Sequence, residues 1–348
     1  MKSSYFLGAL AAGALIVSAP LAEAQERVQW RAQSAYPAAL PQLGPILPTV
    51  SERVERATGG NFRIRAMEPG AMVPMLESWD AISAGSLDAG FASLGFWPGR
   101  EPGASFFSAV PFGPDFGEYT AWMYEGGGVE LMDEIMAEHN MKMLICGTLS
   151  PEGAGWFREE ITSVEDLEGL RMRIFGLGGA VMEKLGVSTQ LLAPGDIYAA
   201  LDRGALDATE FSMPSLDLHF GFHEVANNYY FPGWHQMVTL MQLMINLDRW
   251  NELSDENQAI LEYACHDITV RTLAEAEANQ GPALRELQDE HGVALREWPE
   301  EILDAYREAW GEVVEDYKAQ DETFARVWES YSEFREEYAL WRELGYIN

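Results

Sequence analysis

Asp80-Ala81-Ile82-Ser83-Ala84-Gly85-Ser86-Leu87-Asp88-Ala89 and Ala199-Ala200-Leu201-Asp202-Arg203-Gly204-Ala205-Leu206-Asp207-Ala208 repeat one pattern at an offset of 119 positions. Each reads as a helix stopped by glycine at C′, followed by a turn into a strand. The strands are expected over 89–94 and 208–211. A unit used twice points to two similar α/β lobes, although Leu-Asp-Ala is a common triplet and chance is the competing explanation.

Working outward, strands are expected over 28–32 and 62–66, flanking a helix over 43–57 that ends at Gly59-Gly60. The segment 117–140 reads as mostly helical and leads to a strand over 142–146. Thr162 and Ser163 with Asp166 mark a helix start. A strand over 170–174, a Gly-rich turn and a helix over 180–185 follow, and 238–246 is strand-like. Strands alternating with helices argue α/β architecture with largely parallel sheets. The last third is helical: 254–291, with Gly281-Pro282 as a kink point, then an acidic stretch over 299–344. There Phe324, Val327, Trp328, Tyr331, Phe334, Tyr338 and Trp341 form an aromatic stripe. Packing on the chain's own lobes is weighed slightly above docking on a second copy.

The 348 residues carry 55 Asp plus Glu against 23 Lys plus Arg, a formal charge of −32, with 47% hydrophobic residues. That is too apolar for disorder and long enough for two lobes. The acidity argues against nucleic acid and anionic membranes as partners. Lys2, the apolar run over 5–21 and Ala22-Glu23-Ala24 read as an export signal cleaved after Ala24, which implies a periplasmic protein. Gly8, Gly13 and Pro20 weaken the alternative of a membrane anchor, and no later stretch reaches the ~20 apolar residues of a membrane span. Cys146 and Cys265 are expected as two separate buried thiols, because nothing in the sequence brings their Cα atoms together.

Catalytic motifs are missing. There is no G-x-S-x-G, H-E-x-x-H or Walker loop. His219 and His223 lack a third zinc ligand, and Gly176-Leu177-Gly178-Gly179 lacks the third glycine of a dinucleotide fingerprint. Arg173 is more informative. It lies near the carboxyl end of an expected strand, where α/β proteins bind ligands, and its guanidinium is a carboxylate fork. An exposed edge-strand arginine is the equal alternative. Glu210 ends another such strand and is suited to pairing with Arg173 or holding a cation, with Glu152 and Gln236 as further oxygen donors.

Phe106–Gly113 (FFSAVPFG), Gly153–Phe157 (GAGWF), Leu170–Gly179 (LRMRIFGLGG), Ile197–Phe211 (IYAALDRGALDATEF) and Gly221–His235 (GFHEVANNYYFPGWH) stand in an order that is specific together. On these motifs the chain resembles the extracytoplasmic solute-binding subunits of tripartite ATP-independent periplasmic (TRAP) transporters, in the branch for 2-oxo and 2-hydroxy monocarboxylates such as pyruvate or lactate. The resemblance implies two α/β lobes joined by hinge strands and a long helix: lobe 1 over 25–148 and 236–275, lobe 2 over 149–235, and a helical region over 276–348. It implies that Arg173 pairs with the substrate carboxylate, that Phe96, Trp97 and Glu152 contact substrate, and that sodium or calcium sits on Glu210, the Phe211 carbonyl and Gln236. It further implies a membrane permease as partner and a homodimer through an exchanged C-terminal helix.

Four positions depart from the family pattern. Phe211 replaces a common Trp, Glu152 a Gln, Gln236 an acid, and Gly95 an aromatic whose loss should leave room beside the ligand. The remaining readings are a larger acid (a sugar acid, an aromatic acid or a compatible solute), a sensor that reports ligand to a receptor, and a secreted hydrolase using Glu152 and Glu210 as a carboxylate pair.

Overall fold

The computed structural model describes residues 27–346; the export signal read over 1–24 lies outside them. Strand β1 (Val28–Ser34), helix α1 (Ile46–Ala57), β2 (Phe62–Met67), α2 (Ser78–Ser83) and β3 (Ala89–Ala92) come first. Helices α3 (Phe116–Glu125) and α4 (Gly128–Glu138) precede β4 (Met141–Leu149). A second unit follows: β5 (Gly155–Phe157), β6 (Arg171–Arg173), α5 (Gly178–Lys184), β7 (Ser188–Gln190), α6 (Ile197–Asp202), β8 (Ala208–Thr209), α7 (Pro214–Phe220) and β9 (Asn228–Phe231). The chain returns through β10 (Thr239–Asn246) and α8 (Leu247–Asn251) to α9 (Asp255–Asp289), then β11 (Ala294–Glu297), α10 (Glu300–Gln320) and α11 (Glu322–Leu344). The architecture is two-sheet α/β. One sheet has the order β2-β1-β3-β10-β4, the other β11-β9-β5-β8-β6-β7.

The repeated pattern is structural. Gly85 and Gly204 take φ of 73° and 69°, the left-handed conformation that ends a helix cheaply only at glycine. Leu87 and Leu206 are buried. Asp88 Oδ2 accepts the Arg31 amide at 2.7 Å, and Asp207 Oδ2 accepts the Arg171 amide at 3.0 Å. Arg31 and Arg171 each lie on the parallel neighbour of the strand that follows the pattern, β1 beside β3 and β6 beside β8. Each aspartate therefore pins one strand pair, Asp88 in the first sheet and Asp207 in the second.

The sheets are mixed rather than largely parallel. β10 runs antiparallel to β3 and β4, and β5 antiparallel to β8 and β9. The cause is the crossing between units. β4 leads out of the first sheet, β10 leads back in, and Leu149 sits opposite Thr239 where they cross. All eight residues of β10 are buried.

Helix α9 has 35 residues, about 52 Å at ~1.5 Å per residue. It runs through Pro282 as one helix: Gly281 before it has no Cβ to clash with the proline ring. It is bonded to both units. Thr272 Oγ1 accepts the Thr148 amide of β4 at 2.9 Å, and Gln280 Oε1 accepts the Ser215 amide of α7 at 3.0 Å. The expectation of two separate thiols is overturned here. Packing α9 on β4 brings the Cα atoms of Cys146 and Cys265 to 4.2 Å, and the two form a disulfide.

The aromatic stripe divides along α11. Phe324, Val327 and Tyr331 are buried in the chain's own core, against Phe106 and Trp122. Glu118 on α3 is gripped by Arg335 at 3.0 Å and Arg342 at 2.6 Å. Around Arg342 and after it, Leu340, Trp341 and Leu344 are exposed. No helix among the described residues is long and apolar enough to cross a membrane.

Candidate functional site

Between the two sheets lies a small cavity of about 20 Å³, lined from the first sheet's side by Tyr36, Phe96 and Thr239 and from the second by Arg173, Phe175 and Phe211, with Glu152 and Gln236 at the crossing segments. Arg173 is the last residue of β6, where the strand's register delivers it beside Thr209 and Gln190. Its side chain is 1% exposed, so the edge-strand alternative fails. The guanidinium Nη1 donates to the Glu210 carbonyl at 2.6 Å and to Glu210 Oε1 at 2.8 Å. The Phe175 amide donates to the same Oε1 at 2.5 Å. Expected strand 208–211 stops at Thr209, and the turn at Glu210 aims its carboxylate at Arg173.

Glu152 sits across from this pair. Its Oε1 accepts from Gln236 Nε2 at 3.2 Å and from Thr239 Oγ1 at 3.1 Å. Several buried atoms here have no hydrogen-bond partner among the described residues: Glu152 Oε2, Gln236 Oε1, Arg173 Nε and His235 Nδ1, while Glu210 Oε2 has only His235 Nε2, 3.4 Å away. Leaving such groups unpaired is costly. Glu152, Glu210 and His235 each offer a ligand atom within 4.8 Å of the others.

The two carboxylates are driven apart. Burial, and then the charge of Glu210, pushes Glu152 well above the usual carboxylate range. Burial acts on Glu210 as well, but the Arg173 guanidinium, His235 and the Phe175 amide outweigh it and hold Glu210 below that range. Burial and Glu152 together raise the Tyr36 phenol far above its ordinary value. Behind the site, burial raises Asp217 to about 7, even though Trp156 Nε1, the Tyr229 hydroxyl and the Ser212 amide all donate to it.

Of the residues singled out in the sequence, Glu152, Arg173, Phe96, Phe211 and Gln236 line the cavity. Glu210 meets them through Arg173. Trp97 stands outside the lining: its indole donates to the Leu76 carbonyl at 2.8 Å and its ring packs beside Trp79. The room expected at Gly95 does not exist. A Cβ there would meet Phe175 Cζ at 2.4 Å, so a ring from the opposite unit fills the space. Tyr36, Thr239, Phe175 and His235 were missed. Only His235 had a signal, as the neighbour of Gln236. His219 and His223 do not share a helix face, because Gly221 at φ 74° ends α7 between them.

Glu152 Oε2 and Gln236 Oε1, which are unpaired, and Glu210 Oε2, which faces only His235, are the hard donors that sodium and calcium take. A guanidinium with a free Nε beside them is suited to an anion. The site thus has the makings for an anion and a cation together, and no activated nucleophile.

Comparison with known proteins agrees. Residues 40–321 match the family described as bacterial extracellular solute-binding protein, family 7 (DctP). A monocarboxylate 2-oxoacid-binding periplasmic protein of Nostoc sp. is 36% identical over 92% of this chain and 88% of its own. A TRAP transporter solute-binding protein of Bordetella bronchiseptica, a mixed-occupancy dimer solved with calcium and picolinate, matches at TM-score 0.89 and 33% identity over 92% of this chain and 95% of its own. A TRAP periplasmic solute-binding protein of Pseudoalteromonas atlantica, solved with sodium and pyruvate, matches at TM-score 0.87 and 32% identity over 91% and 96%. The hydrolase reading of Glu152 and Glu210 falls with this: the chain belongs to the DctP family and is a TRAP transporter solute-binding protein, not an enzyme.

Proposed function

We propose that this protein captures a small 2-oxo or 2-hydroxy monocarboxylate, of which pyruvate is the type, together with a sodium or calcium ion. The observation that carries this is a set of buried atoms with bonding capacity to spare: Glu152 Oε2, Gln236 Oε1 and Arg173 Nε, which are unpaired, and Glu210 Oε2, which faces only His235. Arg173 takes the ligand carboxylate. Glu210, the Phe211 carbonyl and Gln236 hold the cation, with Glu152 beside them and Phe96 against the ligand. When bound, the cation offsets the desolvation of an anion that Arg173, already shared with Glu210, cannot fully neutralise.

Lobe 1 comprises 25–148 and 236–275 and lobe 2 comprises 149–235. They close on the ligand by a hinge at the crossing of β4 and β10. The chain is exported to the periplasm with cleavage after Ala24 and delivers its ligand to the TRAP membrane permease. The exposed Leu340, Trp341 and Leu344 on α11 meet a second copy. Light scattering that finds a monomer at every concentration defeats the dimer.

The test of the ligand is calorimetric titration of refolded, ligand-free protein with pyruvate, with and without Na⁺ or Ca²⁺. One-to-one binding that needs the ion is expected. No binding under any ion moves the ligand to another acid.

A further inference from the structure

We infer that Phe175 sets the upper size of the ligand, acting as a ring donated across the cleft onto Gly95. This rests on the reading of the cleft as a 2-oxo acid site and adds the residue pair that discriminates among such acids.

Three observations carry it. First, the fit is tight: a Cβ on Gly95 would lie 2.4 Å from Phe175 Cζ and 2.5 Å from Cε1, so only glycine leaves space for the ring. Gly95 has no positive φ, and its lack of a side chain is therefore about space rather than backbone conformation. Second, the ring is a wall of the cavity. It packs edge-on to Phe96 with centroids 4.9 Å apart, and both rings are buried lining residues. Third, its base is fixed to the charged centre. The Phe175 amide donates to Glu210 Oε1, the same oxygen that takes Arg173 Nη1. The backbone that holds the wall is thus bonded to the groups that orient the ligand's charge.

The consequence is a division of labour. Arg173 and Glu210 recognise the charged end that every such acid shares, and Phe175 against Gly95 rejects long side chains by occupying their space. Gly95 is a specificity residue although it contributes no atom to the ligand.

The experiment measures Kd by calorimetry for pyruvate, 2-oxobutanoate, 4-methyl-2-oxopentanoate and phenylpyruvate, in buffer containing both Na⁺ and Ca²⁺. The proteins are the wild type, Phe175→Ala, Phe175→Leu, Gly95→Ala and the Gly95→Ala/Phe175→Ala double variant, each checked by ligand-free thermal unfolding. The wild type should prefer the short acids. In Phe175→Ala the ratio of Kd for phenylpyruvate to that for pyruvate should fall by about tenfold or more, and in Phe175→Leu by less. Gly95→Ala should weaken pyruvate binding by about tenfold when Phe175 is present and by under about threefold when it is absent, because the two positions compete for one space. Unchanged selectivity in both Phe175 variants, or an equal cost of Gly95→Ala in both backgrounds, overturns the inference while pyruvate binding survives. A wild type that binds none of the four acids overturns the 2-oxo acid reading itself, and this inference with it.

Discussion

Arg173 and Glu210 form an ion pair sealed from solvent, with Nη1 2.8 Å from Oε1 and side-chain exposures of 1% and 0%. The pair has bonding capacity to spare, since Arg173 Nε is unpaired and Glu210 Oε2 faces only His235 Nε2, 3.4 Å away. Removing one partner of a buried pair costs about 3–5 kcal/mol, equivalent to roughly 10²–10⁴-fold in an equilibrium constant.

Arg173→Met keeps much of the side-chain volume and removes the charge. Pyruvate affinity should fall by about 10²–10³-fold while the far-ultraviolet circular dichroism stays that of the folded protein. Calorimetry that returns the wild-type Kd removes Arg173 from the site.

Withdrawing the cation should act like removing a ligand-binding residue. Dialysis against a chelator in a sodium-free choline buffer is expected to abolish pyruvate binding, and restoring one of the two ions should recover it. Gln236→Leu deletes a donor whose Oε1 is unpaired, and it should raise the ion concentration needed for half-maximal pyruvate binding by about tenfold or more. Full binding in the chelated, sodium-free buffer would refute a cation at this site.

The disulfide makes a separate prediction. It closes a loop of 119 residues between β4 and α9. Replacing both cysteines by alanine should lower stability by about 2–5 kcal/mol in denaturant unfolding. Pyruvate affinity should stay within about threefold, because neither cysteine lines the cavity.

Asp217 predicts a pH dependence. Its carboxyl stands at about 7 in the folded chain against an ordinary 3.8, chiefly because it is buried. A raised carboxyl means the folded state binds more protons than the unfolded state between those two values, so stability should fall as pH rises from 4 to 7 and then level off. Asp217→Asn has no proton to lose. Its denaturation midpoint should be less steep across that window than the wild type's, and equal slopes would show that Asp217 does not titrate there.

The parts of this molecule that were legible in the sequence share a cause. Gly85 and Gly204 end helices by backbone conformation, and Asp88 and Asp207 bond the adjacent parallel strand, so the repeated pattern carries its own geometry. Arg173 was legible because the carboxyl end of a strand is where such folds bind ligands. What stayed hidden depends on pairs distant in the chain. Cys146 meets Cys265 only once α9 lies on β4. Gly95 read as a gap because the ring that fills it, Phe175, is carried by the other unit. The antiparallel run of β10 follows from a chain that leaves the first sheet and comes back, which local periodicity does not record.

The burial of the cavity wall has a kinetic meaning. No lining residue is more than 7% exposed, so release of a molecule bound there should need the wall to open. Its dwell time should then be the waiting time for the proposed hinge to open, a collective motion of the microsecond-to-millisecond class or slower. The strength of the contacts inside sets how rarely that opening occurs. Two acids held with different affinity should therefore differ in off-rate far more than in on-rate.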